Sequence, residues 1–394
     1  MAREDVAEFS IQSVQVLAAD GTVDESMVPE LTDEGLLDLY EGMKRSRRLD
    51  ERAISLQRRG ELGTYAPAIG QEAAQVGSAF AMAEGDWIVP SFREQPALLV
   101  RDTPPEAILQ YAMGMEEGAE VPGGEGALPP AIPVGSQPLH AVGVGWGEAL
   151  QGLDAVAVTY FGDGATSEGD VYEALNFAGV YDAQTVFVCQ NNRYAISTRL
   201  EHQTAAETLA QKAVAAGIEG IRVDGNDVLG VYRVAKAAIE QARHGDPLLI
   251  EALTYRRSMH TTSDDPSVYR EAEEESEWEA RDPIVRFQLY LEERGILDDE
   301  TESAIDERIE TEIADAIDRA RAAREEIDPA DMFRYVYDDP PPELEAQRAA
   351  FERRIEADER ATEAEARGNE AGERSGESSG RTNEADGRGG ERGG

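Results

Sequence analysis

The sequence predicts an α/β protein, a doubly wound and mostly parallel sheet covered by helices on both faces. Three observations point to it. Between about residues 150 and 256, short apolar runs alternate with segments of helical periodicity, the order expected of parallel strands joined by crossover helices. One run, "VAVTY", leads through Phe161 and Gly162 to an acid set between glycines, Asp163, at the strand end where such sheets bind ligands. At 394 residues the chain can bury the core of one large or two ordinary domains without disulfide staples.

Residues 1–60 form an expected N-terminal extension and helix. "SVQVLAADGTV" reads as a short extended piece turning at Asp20-Gly21. A helix follows, with Leu36, Leu37, Tyr40 and Met43 at helical spacing, Thr32 as its N-cap and Gly60 as its stop. Residues 61–345 hold the main domain. From Gly63 to Pro130 short helices mix with Gly- and Pro-rich loops, including the irregular "EEGAEVPGGEGALPPAIP". Long loops in a compact enzyme are more often functional than idle. The orderly part then reads strand "DAVAVTY", helix "EGDVYEALNFAGVY", strand "TVFVCQ", strand "GIRVDG", helix "DVLGVYRVAKAAIEQARHG" and strand "PLLIEALTY". Amphipathic helices follow Asp282. Residues 346–394 are an acidic tail, helical at first and expected to be disordered from about Arg367, where Gly, Glu, Arg and Ser replace apolar anchors.

Composition excludes several partners. With 80 acidic and 37 basic residues the formal net charge is -43, which disfavours nucleic acid and anionic membrane surfaces. Lysine occurs only at 44, 212 and 236, and the acidic excess reads as the solvated surface of a halophile-like protein, an unusually acidic mesophile being the alternative. The single cysteine, Cys189, lies in an apolar run and is expected to be a buried, inert thiol. No segment has the ~18 to 20 apolar residues of a membrane span, nor does the start look like a secretory signal, so a cytoplasmic address is expected.

The chemistry gathers at two strand ends. Gly162 and Gly164 permit close backbone approach, and Ser167 with Asp170 reads as a capping box opening a helix whose N-terminus could face an anion. One helix and one strand further on, "CQNNRYAIST" brings Asn191 and Asn192 out of a neighbouring strand. A carboxylate and an amide oxygen are hard ligands suited to Mg²⁺, which completes its shell with phosphate and water. Asp163 would then face an anion across a cation. "GVGVGWG" does not fit a dinucleotide fingerprint, because position 148 is Glu, and tight helix packing explains its glycines.

"GDGATSEGDVYEALNFAGVYDAQTVFVCQNN" resembles the thiamine diphosphate signature, a GDG followed about thirty residues later by NN. "LGTYAPAIGQEAAQVGSAFA", "WIVPSFREQPALL", "VGSQPLHAVGVG", "RYAISTRLEHQT", "AGIEGIRVDGNDVLGVY" and "PLLIEALTYRRSMHTTSDDPSVYRE" are similar, in order, to the alpha subunit of the first component of 2-oxo acid dehydrogenase complexes, over roughly residues 10–345. The resemblance implies a thiamine diphosphate-binding fold. It implies that Asp163, Asn192 and the Tyr194 carbonyl hold Mg²⁺, and that Gly164 and Ala165 meet the diphosphate through their backbone. Arg93 would bind phosphate, Val134 would touch the aminopyrimidine through its backbone, and His260 would organise the site and assist acyl transfer. Phe92 stands where the family usually has tyrosine, and Ala66 where some pyruvate-specific relatives carry histidine; the potassium-loop pattern is imperfect in "AIPVGSQ".

The implied activity is oxidative decarboxylation of a 2-oxo acid, pyruvate first and branched-chain acids second, with acyl transfer to the lipoyl group of an acyltransferase. The implied partner is a beta subunit, two of each chain per assembly, supplying a glutamate without which this chain alone is inactive. A fold kept without its chemistry and a nicotinamide dehydrogenase are the competing readings; the intact Asp163, Asn192, Arg93 and His260 oppose the first, and the absent glycine fingerprint opposes the second.

Overall fold

The computed structural model describes residues 3–120, 126–333 and 337–379. Two compact units divide the chain, Met1–Arg324 and Glu325–Gly394. Strands of the first are β1 (Gln12–Val14), β2 (Trp87–Val89), β3 (Ala157–Gly162), β4 (Thr185–Asn191), β5 (Tyr194–Ala195), β6 (Thr198–Arg199), β7 (Glu219–Asp224) and β8 (Leu248–Leu253). Six form one sheet in the order β1-β7-β8-β4-β3-β2, every neighbouring pair parallel, and β5 and β6 make a separate antiparallel hairpin. The helices are α1 (Asp33–Arg58), α2 (Glu72–Phe80), α3 (Gln95–Val100), α4 (Pro105–Ala112), α5 (Gln137–Gln151), α6 (Gly169–Tyr181), α7 (Lys212–Ala216), α8 (Val228–Arg243), α9 (Ala272–Glu279), α10 (Pro283–Glu293), α11 (Asp299–Glu326) and, in the second unit, α12 (Pro342–Ser379).

Strand periodicity sorts the core. Val158, Tyr160, Val186, Val188 and Ile250 meet α2, α3 and α8 on one face of the sheet. The intervening Phe161, Phe187, Cys189 and Leu249 meet α6, with Val171, Ala174, Leu175 and Ala178, and Ala213 of α7 on the other. Helices α1, α10 and α11 add an outer layer over α2. Cys189 is fully buried, and burial pushes its thiol pKa well up, which leaves it inert. Gly145 of α5 explains one glycine of "GVGVGWG": a Cβ there would lie 2.5 Å from the Gln184 carbonyl oxygen.

Thr32 caps α1 as expected, its hydroxyl accepting from Gly35 N–H at 3.1 Å. The expected Ser167 capping box does not form. Ser167 ends a 3₁₀ turn, Asp163–Ser167, and α6 begins at Gly169 with Glu168 at its N-cap and no side-chain cap. The turn takes the chain round the end of β3 before the helix can start, so Ser167 is spent on the turn. Residues 380–394 of the expected disordered tail, and the "VPGGE" part of the irregular loop at 121–125, lie outside the described residues.

Register decides what meets at the sheet's carboxyl edge. Gly162 pairs with Gln190, and Asn191 with Leu253. Asp163, Asn192 and the chain leaving β8 toward Arg256 and His260 therefore emerge side by side.

Candidate active site

Asp163, Asn192, Arg93 and His260 line one cavity of about 880 Å³, together with Phe92, Val134, Gly164, Ala165, Tyr194 and Arg256. Asp163 is 1 % exposed. Its Oδ2 accepts from Gln203 Nε2 at 2.6 Å, while its Oδ1, equally buried, has no hydrogen-bond partner. Burial raises the Asp163 carboxyl from the ordinary 3.8 to about 6. A buried carboxylate oxygen left without a donor is costly, and a bound ion is one arrangement that satisfies it.

Asn192 is fixed end for end. Tyr194 N–H donates to one terminus at 3.3 Å, which makes that terminus the oxygen, Oδ1, and Nδ2 at the other end donates to Gln71 Oε1 at 2.9 Å. The β5–β6 hairpin packs directly on the glycine turn: a Cβ on Gly164 would sit 2.7 Å from Ala195 Cβ. Only glycine allows that approach. Among the described residues no three His, Cys, Asp or Glu side chains cluster as a metal site. One carboxylate, one amide oxygen and one carbonyl nonetheless suit a hard cation that keeps phosphate and water in its shell.

Two buried guanidiniums line the same cavity. Arg93 donates from Nη1 to the Pro67 carbonyl at 2.6 Å and from Nη2 to the His260 carbonyl at 2.8 Å. Arg256, 1 % exposed, donates to the carbonyls of Tyr194 (3.3 Å) and Ile196 (2.6 Å), and its Nε is buried without a partner. Burial, then mutual repulsion, lowers Arg93 to about 10. Both guanidiniums also reach His260 Nδ1, at 3.1 and 3.4 Å. A guanidinium has no lone pair to offer, so Nδ1 is the acceptor and the neutral ring carries its proton on Nε2. Burial, Arg93 and Arg256 together lower His260 to about 4. Asp264 holds the loop by accepting from His260 N–H at 2.7 Å and from the Tyr269 hydroxyl.

A strap at residues 65–70 ties these parts together. Tyr65 donates its N–H to Thr262 Oγ1 (3.1 Å) and accepts Thr262 N–H (2.8 Å), and Ile69 accepts Arg257 N–H at 3.0 Å. Beneath it Asp50, 1 % exposed, accepts from the Tyr65 hydroxyl (2.7 Å) and Ala68 N–H (2.6 Å).

A family model, "Dehydrogenase E1 component", matches residues 40–327. The chain belongs to the dehydrogenase E1 component family. Its relatives include "Pyruvate dehydrogenase E1 component subunit alpha" of Staphylococcus aureus, 43 % identical over 350 residues, 88 % of this chain and 94 % of that one. The protein of the same name from Staphylococcus epidermidis is 44 % identical over the same shares. The expected family and its doubly wound parallel fold are thus both found.

Within this E1 family chain, the residues expected at the site all reach one cavity, though by different routes. Val134 stands half-exposed at its rim. Phe92 has no hydroxyl to donate and instead lies edge-on to the His260 ring, centroids 5.9 Å apart, and 5.4 Å from the Arg93 guanidinium. Ala66, also on the cavity wall, offers a methyl group where an imidazole was considered. Asn191 turns away: its Nδ2 donates to buried Glu251 at 2.7 Å. Arg256, Gln203, Gln71 and Asp50 were missed by sequence reasoning. Arg256 stood four residues before His260 in a quoted segment, and only its burial beside a second arginine reveals it. Asp50, within a helix, carried no sequence signal.

Proposed function

We propose that this chain is the alpha subunit of a pyruvate dehydrogenase E1 component, acting in the oxidative decarboxylation of pyruvate and transfer of the acetyl group to a lipoyl group. The observation that carries the reading is the cavity itself, whose lining combines a buried carboxylate with one unpartnered oxygen, two buried guanidiniums and a neutral imidazole. That distribution fits a cation-bridged anionic cofactor, thiamine diphosphate with Mg²⁺. The near full-length relatives narrow the substrate to pyruvate.

When bound, thiamine diphosphate supplies the electron sink that decarboxylation of a 2-oxo acid needs. Asp163 Oδ1, Asn192 Oδ1 and the Tyr194 carbonyl would hold the cation. Gly164 and Ala165 would meet the diphosphate through their backbone, and Ala195 excludes a side chain at 164. Arg93 and Arg256 supply positive charge from a dry wall, where it is screened little by water. His260 offers an Nε2 proton from a ring that stays neutral, a donor to oxygen that gains charge during acyl transfer. Phe92 excludes water beside it. Val134 contributes backbone at the cavity rim.

A beta subunit would complete the site with the catalytic glutamate that the family resemblance assigns to it, and the lipoyl arm would come from the acyltransferase component. Among the described residues no helix is long and apolar enough to cross a membrane. We read the net charge of -43 as that of a cytoplasmic protein working at high salt. The test is reduction of an artificial electron acceptor by this chain with its beta partner, thiamine diphosphate and Mg²⁺ at high salt. Preference for pyruvate over branched-chain 2-oxo acids is expected; the reverse preference would overturn the substrate assignment, and activity of the isolated chain would overturn the shared site.

A further inference from the structure

The chain that follows the β5–β6 hairpin brings Gln203 to Asp163. After β6 the chain makes a 3₁₀ turn, Leu200–His202, closed by Gln203 N–H donating to the Leu200 carbonyl at 2.9 Å. The turn points the Gln203 side chain back toward the glycine turn. Both amide protons are then spent: Nε2 donates to Asp163 Oδ2 at 2.6 Å and to the Thr198 carbonyl at 2.9 Å. The second bond anchors the amide to the hairpin, so the first fixes the rotation of the carboxylate. What remains are two buried, unpartnered oxygens on one hydrogen-bonded pair, Asp163 Oδ1 and Gln203 Oε1.

We propose that Gln203 is a positioning residue for the cation site, gripping Asp163 Oδ2 so that Oδ1 is the oxygen presented to a divalent cation. An amide is the suitable donor for this task. Arginine or lysine would neutralise the carboxylate and compete with the cation, whereas a neutral N–H orients the group and leaves its charge for the metal. The unpartnered Oε1 can accept from a cation-bound water. Because the hairpin carries Tyr194, holds Gln203 through the Thr198 carbonyl and meets Gly164 at Ala195, its packing against the turn sets the ligand geometry.

This inference rests on the reading of Asp163 as the cation ligand, and the experiment separates the two. Mn²⁺ binding in the presence of thiamine diphosphate is measured by electron paramagnetic resonance on the assembled alpha and beta subunits, for wild type, Asp163→Asn, Gln203→Met and Gln203→Ala. Methionine keeps the length and packing of glutamine without its donors. The expected result is loss of binding in Asp163→Asn and a weakening of about 10- to 100-fold in both Gln203 variants, the range for removing a group that orients a metal ligand. Losing the donor to a buried carboxylate should lower the cofactor-free melting temperature of Gln203→Met by only a few degrees, with the folded near-ultraviolet circular dichroism kept. Wild-type affinity in Gln203→Met with binding lost in Asp163→Asn would overturn the role of Gln203 alone. Failure of wild type to bind, or wild-type binding by Asp163→Asn, would overturn the reading of the site and this inference with it. Loss of the folded near-ultraviolet circular dichroism in cofactor-free Gln203→Met would make Gln203 a fold residue and overturn the proposal.

Discussion

Replacing Asp50 by asparagine should change how stability depends on pH more than it changes any contact. Asp50 is enclosed under the strap with two donors and no paired cation, and burial raises its carboxyl from the ordinary 3.8 to about 7. Between those values the native state holds a proton that the unfolded chain has released. Stability from this group is therefore fully present below about pH 4 and lost as pH rises to 7. At about 1.4 kcal/mol per pH unit the whole effect is on the order of 4 kcal/mol, of which roughly 2–3 kcal/mol falls between pH 5 and pH 8. Asparagine keeps an acceptor for Ala68 N–H and can donate to the Tyr65 oxygen, but it cannot ionise. The assay is urea unfolding of wild type and Asp50→Asn at matched ionic strength and at both pH values, since the other carboxylates are common to both proteins. The difference in unfolding free energy should move by that amount in favour of the variant at pH 8. Parallel pH dependences would refute an Asp50 that ionises near neutrality.

Gly164→Ala drives a Cβ to within 2.7 Å of Ala195 Cβ, so it should cost about 1–3 kcal/mol of stability and weaken cofactor binding as the hairpin is displaced. Ala195→Gly in the same chain should restore most of both, which a double-mutant cycle of melting and cofactor titration would check. With Nδ1 held by two guanidiniums and its pKa lowered to about 4, His260 stays neutral over pH 5–8. It should then add no acid limb to the kcat/KM profile for pyruvate in that range; a limb near pH 6.5 that disappears in His260→Asn would contradict this.

The sheet was legible because its central strands are continuous apolar runs with helices between, and the glycine turn because its acid stands between two glycines after such a run. Other parts were hidden for physical reasons. β2 is three residues, Trp87–Val89, too short to show a period, and it ran into the loop that carries Arg93. The β5–β6 hairpin has two residues in each strand, turned by Ile196 at φ 55°, a conformation no β-branched side chain advertises. Gln203 and Asp50 act through long-range contacts, 40 residues away to Asp163 and 18 to Ala68, and nothing local in their surroundings marks them. Asp163 and Asn192 were found together because each ends a neighbouring strand, a relation that spacing does carry.

Under the proposed function, Asp163 anchors a cation through which this chain holds thiamine diphosphate. Calorimetric titration of the cofactor into the assembled alpha and beta subunits, with Mg²⁺ and with chelator, for wild type and Asp163→Ala, tests it most directly. The account predicts binding that requires Mg²⁺ in wild type and is lost in the variant. Cofactor binding of equal strength without the cation, or in Asp163→Ala, would contradict it.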